Sequence, residues 1–311
     1  MENNLSRKPL KNLGHFEIFS RVTAWFDDFV FNILKADRTD LNVIWKYAHT
    51  TRVTRAASNI FVNVAPYMRD GKNHELVCIA AFLHDIARFE NSQKKNPGKR
   101  EQNMNMLDWG YGDRGAEILH REFFPKYSSP GEVSEEDIVI FMVQSIDKTD
   151  LTRSLRNIGS ECDTSRLWLL AETLRDADRV DNFLNSYTEK WWRKFDLDRQ
   201  NRNNAMLSDN RISESMWERF KEHFGSGMHT MSTADMVESA WQCFDISNTE
   251  TLGDAMVSSL VSPILCTFSY SQTVCRKSPN FNNIIHQLNK EDERTIEVMN
   301  AVISLSNRTF G

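Results

Sequence analysis

Residues 76 to 90, LVCIAAFLHDIARFE, decide the fold of this chain. Leu76 to Leu83 carry no charge, and a helix this apolar is expected to be buried. His84 and Asp85 follow side by side, so an imidazole and a carboxylate are predicted at depth. Burying both groups is costly unless something compensates them, and a divalent cation is suitable because both are metal ligands. The stretch therefore predicts a metal site beside a buried helix.

The size and charge of the chain limit the classes of protein to which it can belong. With 311 residues, 40% of them hydrophobic, it can bury a core as one large domain or two small ones. The formal net charge is −5, so the sequence has no basic surplus. This balance argues against a protein built mainly to bind nucleic acid, although a local positive pocket is compatible with it.

Cysteine usage and the apolar segments indicate the compartment. The five cysteines form no CxxC pair, which predicts reduced, mostly packed thiols in a cytoplasmic protein. Residues 1 to 16 contain basic side chains but no apolar segment typical of a secretory signal. The uncharged stretch from 255 to 275 is interrupted by Pro263 and rich in Ser and Thr, which predicts core helix and turn and no membrane association.

Apolar residues recur at helical spacing along the chain, and no segment alternates apolar and polar residues over a strand length. The predicted fold class is therefore all-α. The first three predicted helices cover residues 15 to 35, 42 to 65 and 74 to about 90. Asp113 is a candidate N-cap for a fourth. Further helices are predicted from the same spacing at residues 134–146, 166–187, 213–224, 233–246, 254–270 and 290–307.

His49 lies on the inward stripe of the second predicted helix. Val53 and Ile60 follow it by four and eleven positions, so these side chains share one face. Arg52, three residues after His49, lies just beside the stripe. A lone histidine on an apolar face is most often a core residue with its hydrogen bonds satisfied, and only the partners found on other helices favour a metal ligand here.

Asp178 lies on the apolar face of its predicted helix. It follows Ala171 and Leu174 by seven and four positions. Asp181 follows it by three, so both acids lie along this face. Asp176 is turned about 160° away from Asp178 at 3.6 residues per turn. A carboxylate on an apolar stripe requires a cation.

Four groups on three predicted helices thus face inward: His49, His84, Asp85 and Asp178. Two imidazoles and two carboxylates suit one divalent ion, such as Mn²⁺, Fe²⁺, Ni²⁺, Co²⁺, Zn²⁺ or Mg²⁺. Such a ligand set leaves coordination positions open for water and substrate.

Four motifs in order along the chain resemble those of the HD superfamily of metal-dependent phosphohydrolases. The motifs are HTTRV at 49–53, AAFLHDIARFE at 80–90, GAEIL at 115–119 and RDADRVDNF at 175–183. They are especially similar to bacterial HD-domain proteins whose second motif is HDIGRFEQ. The resemblance implies an all-α HD-domain core at residues 41–187, with an N-terminal helical extension at 1–40. A C-terminal helical region at 188–311 would pack on that core.

The resemblance also implies that His49, His84, Asp85 and Asp178 hold the ion. In RDADRVDNF it is the second aspartate, Asp178, that matches the family ligand, in agreement with the helix-face argument. The implied cofactor is thus one divalent metal ion.

This chain departs from its nearest relatives where many of them carry further histidines. It has Tyr111 ahead of the GxEIL helix and Gln144 or Ser145 in the following helix. Because those histidines build a second metal position, their absence favours a mononuclear site. It counts against the di-iron oxygenases and the dinuclear cyclic-dinucleotide phosphodiesterases of the superfamily. His120 is close enough in sequence to substitute, with simple exposure as the alternative.

The predicted activity is hydrolysis of a phosphate ester or anhydride in a nucleotide or a similar small phosphorylated molecule. The cation would lower the pKa of a water molecule and polarise a phosphoryl oxygen. Asp85 or Asp178 is expected to orient that water, and Asp181 to support the ligands.

Arginines are the predicted phosphate-binding groups, because a guanidinium binds phosphate through two parallel hydrogen bonds. Arg52 is the first candidate, with Arg88 and Arg179 behind it. For each arginine the alternative is a surface ion pair. Glu90 is a candidate proton donor or outer partner of the metal ligands, two roles that the sequence does not separate.

Two other functions remain open. A metal- and nucleotide-binding sensor with little turnover fits the missing histidines, whereas retention of all four ligands counts against it. A nuclease would use the basic and aromatic segment from Lys190 to Arg202, which is otherwise explained as a boundary helix. The polar loop at 91–100 is either solvated or a lid over an anionic substrate. A homodimer is compatible with the sequence.

Overall fold

The computed structural model is helical in the parts of the chain that it describes. These are residues 15–36, 41–68, 71–93, 110–124, 134–148, 151, 155, 163–185, 210–225, 231–244, 250–288 and 290–310. None of these residues lies in a β-strand, so the predicted all-α class is confirmed.

The chain divides into two compact units, Met1–Asp178 and Arg179–Gly311. The division falls inside the helix that carries Asp178, whereas the sequence placed the boundary after residue 187. All four predicted metal ligands therefore belong to the first unit.

The first unit is built from α-helices whose bounds match most of the predicted ones. In chain order they are α1 (His15–Ala36), α2 (Leu41–Val64), α3 (Lys72–Leu83), α4 (Ile86–Gln93), α5 (Tyr111–Ile118), α6 (Glu135–Gln144) and α7 (Thr164–Asn185). A 3₁₀ turn at Pro66–Met68 follows α2, and a π-helical turn at Leu119–Phe123 extends α5.

Helix α3 is the centre of this unit and packs against α1, α2 and α6. Every residue from Leu76 to Leu83 is buried except Cys78, which is partly exposed, as the apolar run predicts. The Phe26 ring of α1 lies 4.9 Å from the Phe82 ring and 5.2 Å from the Phe89 ring, both in edge-to-face geometry. The N-terminal helix is thus part of the same core.

The predicted continuous helix from 74 to about 90 is wrong, because it is interrupted at His84 and Asp85. The Nδ1 atom of His84 donates to the carbonyl oxygen of Ala81 at 2.7 Å, since a carbonyl can only accept. An uninterrupted helix would offer that carbonyl to the backbone of Asp85, so the side chain competes with the helical hydrogen bond. The break turns His84 and Asp85 into a corner between α3 and α4.

The predicted N-cap at Asp113 is also wrong, because α5 begins earlier, after Gly110. The helix start is held instead by Asp147, whose Oδ2 atom accepts from the backbone N–H groups of Gly110 and Gly112 at 3.0 and 3.1 Å. Asp113 contacts Lys148 and Gln144. By contrast, the predicted start of α6 is confirmed, since Ser134 forms a capping box.

The second unit contains α8 (Glu214–His223), α9 (Thr233–Cys243), α10 (Leu252–Leu265), α11 (Ser269–Arg276), α12 (Pro279–Gln287) and α13 (Glu293–Phe310). Helix α10 is its buried centre and packs against α9, α11, α12 and α13. The predicted helix at 254–270 is two helices, because Cys266 and Phe268 adopt extended backbone. Helix α12 was not predicted, although Ser278 followed by Pro279 is a typical helix start. Among the described helices, none combines the length and apolarity that crossing a membrane requires.

Candidate metal centre

The structure brings the four predicted ligands together. His49 comes from α2, His84 and Asp85 from the corner after α3, and Asp178 from α7. The Nε2 atom of His49 lies 3.1 Å from Oδ1 of Asp178 and 3.3 Å from Nε2 of His84. The same Oδ1 lies 3.7 Å from Nε2 of His84, and the two carboxylate oxygens of Asp85 lie 3.8 Å from the two imidazoles. Three separate chain segments therefore converge on one point.

These separations fit the coordination of a single ion. Ligand atoms about 2.0 to 2.2 Å from a metal, at tetrahedral or octahedral angles, lie about 2.8 to 3.6 Å from one another. The closest pairs, at 3.1 and 3.3 Å, fall in this range, the separations of 3.7 and 3.8 Å lie just outside it, and His49, His84 and Asp85 each offer a ligand atom within 4.8 Å of the others. The donor set therefore fits a borderline divalent ion.

The tautomer of His84 is fixed by its backbone contact. Because Nδ1 donates to Ala81, the neutral ring carries its lone pair on Nε2, the atom that faces the cluster. The side chain is 1% exposed, so the ring has little room to turn. A hydrogen bond from the second ring nitrogen is how metal-binding histidines are usually oriented.

Asp85 carries an oxygen without a hydrogen bond in the interior. Its Oδ2 atom is buried and accepts no hydrogen bond from the described residues, although it lies 3.8 Å from Nε2 of His49. A buried acceptor left in this state costs roughly 1 to 3 kcal/mol. A cation between the two side chains would remove that cost, which supports the metal interpretation.

Both carboxylates of the cluster are held in their ionised form. Burial raises the pKa of Asp85, but the positive charges of Arg88 and Lys46, together with those of His84 and His49 when these are protonated, outweigh it and hold that pKa at about 2. Burial also opposes ionisation of Asp178, yet the hydrogen bond from His49 and the contact with His84 when that ring is protonated keep its pKa well below the usual value. Two anionic ligands are thus in place at neutral pH.

The cluster opens to solvent on one side. The Asp178 side chain is 24% exposed and that of His49 is 13% exposed, whereas His84 and Asp85 are buried. An ion bound here would be enclosed by His84 and Asp85 and approachable past His49 and Asp178.

Arg88 stands beside the cluster. Its Nε atom lies 3.0 Å from Oδ1 of Asp85, and its guanidinium carbon is 5.0 Å from the centre of the Tyr111 ring. Burial lowers the pKa of Arg88, but Asp85, Asp178, Tyr111 and Asp147 together raise it above the usual value. Arg88 is therefore a permanent cation, and its ion pair with Asp85 matches the alternative predicted for it.

The other two predicted arginines lie on helices that also carry ligands, Arg52 on α2 and Arg179 on α7. Arg52 is half-buried on α2, one turn after His49. Arg179 donates from Nη1 to the carbonyl oxygen of Leu265 at 2.7 Å within the second unit, which favours a structural role.

Asp181 and Asp176 are both buried on α7. The Oδ1 atom of Asp181 accepts from Nδ2 of Asn185 at 2.8 Å. Asp176 is fully buried even though it is turned away from Asp178, because α7 is enclosed around this turn. The side chain of Glu90 lies outside the described residues, as do most of the loop predicted at 91–100 and the segment from Lys190 to Arg202.

The positions at which the HD-domain proteins that the motifs resemble carry further histidines have other contacts in this chain. Tyr111 lies against Arg88. Gln144 donates to Asp113 at 2.7 Å, and the Ser145 hydroxyl donates to the carbonyl of Phe141 at 2.6 Å. His120 is exposed in the π-helical turn. A mononuclear site stays the prediction that agrees with these contacts.

Sequence reasoning missed two charged residues near the site. Lys46 precedes His49 by three positions on α2, the same spacing that drew attention to Arg52, and its charge helps to keep Asp85 ionised. Asp147 lies after α6, and no local pattern connects it with Gly110 and Gly112, which it caps from a distance.

Comparisons with protein-family models, with curated proteins and with solved structures find no match to this chain. The HD-superfamily resemblance therefore stays a prediction that rests on the four motifs. A cluster of histidine and aspartate does not identify a family by itself, because unrelated folds build similar sites.

Proposed function

We propose that this protein is a metal-dependent phosphohydrolase of the HD type, acting on a phosphate ester or anhydride of a nucleotide or a similar small phosphorylated molecule. One observation carries the proposal: His49, His84 and Asp85 offer ligand atoms within 4.8 Å of one another, Asp178 lies 3.1 and 3.7 Å from the two imidazoles, and one oxygen of Asp85 is buried without a hydrogen bond. We propose a cytoplasmic location for it and no nucleic-acid partner, and a homodimer is compatible with the proposal.

The ligands define what the centre can hold. His49 and His84 supply neutral nitrogen donors, and Asp85 and Asp178 supply two negative charges, which suits Mn²⁺, Fe²⁺, Ni²⁺, Co²⁺, Zn²⁺ or Mg²⁺. A divalent ion bound there would activate water at neutral pH and withdraw charge from a phosphoryl oxygen.

The surrounding residues have separate tasks in this proposal. Asp178 is the more exposed carboxylate, so it is placed to accept a hydrogen bond from the attacking water. Arg88 and Arg52, each three residues after a ligand, are assigned to the substrate phosphate, whereas Arg179 next to Asp178 donates to Leu265. Lys46 adds a further positive charge on the α2 side.

A second candidate function is a metal- and nucleotide-binding sensor with little turnover. It is favoured by the ion pair between Arg88 and Asp85, because Arg88 is one of the predicted phosphate-binding groups and already has an anionic partner. In that case the ligand would bind without being hydrolysed.

A turnover screen tests the proposal. Purified protein would be assayed with p-nitrophenyl phosphate, bis-p-nitrophenyl phosphate and a nucleotide panel in the presence of Mn²⁺, Ni²⁺, Co²⁺ or Mg²⁺. We expect turnover that is lost in His84→Ala and Asp178→Asn but retained in His286→Ala, an exposed histidine of the second unit. Absence of turnover with every ion, together with nucleotide binding in a thermal-shift assay, would support the sensor.

A further inference from the structure

The carboxylate of Asp85 faces two different neighbours with its two oxygens. Oδ2 lies on the His49 side, 3.8 Å from Nε2 of that residue. Oδ1 lies 3.8 Å from Nε2 of His84 and, on its other side, 3.0 Å from Nε of Arg88. In a two-metal site, ions about 3.5 to 4 Å apart are commonly bridged by one carboxylate in this way. In this protein the guanidinium of Arg88 lies beside one oxygen of the Asp85 carboxylate.

The guanidinium is held in its place by two further groups. The Tyr111 ring lies 5.0 Å from its central carbon. Asp147 fixes the backbone on both sides of Tyr111, accepting from the N–H groups of Gly110 and Gly112. The other oxygen of Asp147, Oδ1, is buried and accepts no hydrogen bond from the described residues. Asp147 is near enough to Arg88 to favour its charged form.

We propose that Arg88 is the second cation of this centre, so that the site takes a single divalent ion and the guanidinium fills the position beside Asp85 that a second ion would occupy. The proposal rests on the metal centre of the proposed function and specifies its composition. The guanidinium would then contribute a fixed positive charge where a phosphoryl group binds.

Charge balance agrees with this assignment. Asp85, Asp178 and Asp147 supply three negative charges, which one divalent ion and Arg88 neutralise together. Lys46 then leaves the loaded centre positive, as an anionic substrate requires. A second divalent ion in addition to Arg88 would place two cations against the same oxygen of Asp85.

Metal stoichiometry tests the proposal without any substrate. Mn²⁺ binding to the full chain would be counted by equilibrium dialysis and examined by electron paramagnetic resonance. We expect one uncoupled ion in the wild type and in Arg88→Lys, which keeps the positive charge. In Arg88→His, which exchanges that charge for a metal ligand, we expect two ions with a coupled spectrum.

A double variant locates the second ion. Arg88→His combined with Asp147→Asn is expected to return to one ion, because the added position loses a nearby negative charge. One ion in Arg88→His, or two in the wild type, would overturn the proposal. If Arg88→His fails to fold by circular dichroism, two ions in the wild type would still overturn the proposal. A wild type that binds no ion would refute the metal centre itself.

Discussion

The Nε2 atom of His49 on α2 and the Oδ1 atom of Asp178 on α7 lie 3.1 Å apart, a hydrogen-bonding distance. Without an ion, a proton on His49 satisfies this contact. With an ion, both atoms would turn to it, so that the proton and the metal compete for the same two side chains. Metal affinity is therefore linked to the hydrogen bond between His49 and Asp178.

Replacing Asp178 by asparagine is expected to weaken Mn²⁺ binding by at least about 100-fold, since loss of an outer partner alone costs 10- to 100-fold and this residue is a direct ligand. The substitution removes one negative charge and keeps the shape of the side chain. Isothermal titration calorimetry of wild type, Asp178→Asn and the exposed control His286→Ala would measure the effect. Equal affinity in all three proteins would remove Asp178 from the centre.

Removal of metal is expected to lower the melting temperature. An ion that binds only the folded state stabilises it by about 2.7 kcal/mol at a free concentration 100 times its dissociation constant. Differential scanning fluorimetry with EDTA, and after addition of Mn²⁺ in excess over the chelator, would show the shift. In Asp178→Asn the same addition is expected to have little effect, and an equal shift there would mean that the ion binds elsewhere.

The stability that ionised Asp85 contributes to the folded protein is expected to decrease as the pH falls. Its pKa is held at about 2 in the folded protein, below the usual 3.8. A depressed pKa stabilises the folded state above the unfolded value, and this stability is lost as pH falls from near 4 towards 2. In EDTA, the gap in unfolding free energy between wild type and Asp85→Asn, on the order of 2 kcal/mol, should shrink over that range. A difference in unfolding free energy that stays constant over this pH range would contradict a lowered pKa for Asp85.

The N-terminal helix is expected to be essential for the stability of the first unit. Phe26 is fully buried between aromatic rings, so Phe26→Ala should cost roughly 3 to 5 kcal/mol of unfolding free energy. Phe31 on the same helix is 54% exposed, and Phe31→Ala should change stability by less than about 0.5 kcal/mol. Urea unfolding would compare them. Equal effects would mean that α1 does not pack as described.

Helix faces account for most of what the sequence predicted about the site. The stripe that contains His49, and the spacing of Asp178 from Ala171 and Leu174, required only helical periodicity, and the structure places both side chains in one cluster. The corner at His84 was not predictable in the same way. Its cause is a side-chain hydrogen bond to Ala81 that competes with the helix, and such competition leaves no mark on apolar spacing.

Contacts between distant segments explain the remaining errors. Asp113 has the residue type and position of an N-cap, but Asp147 performs that task from beyond α6, which only the tertiary fold makes possible. For the same reason the sequence predicts only that Arg88 could form an ion pair. It does not identify Asp85 as the partner or Tyr111 as the neighbouring ring.

Gly112 is expected to be required for the packing of α5 on α6. A Cβ atom at this position would lie 2.6 Å from the carbonyl oxygen of Gln144 and 2.8 Å from Oδ1 of Asp147. Because backbone cannot yield as a flexible side chain does, Gly112→Ala should cost roughly 1 to 3 kcal/mol. Glu117→Ala, at an exposed position of the same helix, is the matched control and should cost no more than about 1 kcal/mol. Urea unfolding at neutral pH would measure both, and a Gly112→Ala protein as stable as the control would show that α5 and Asp147 are not in close contact.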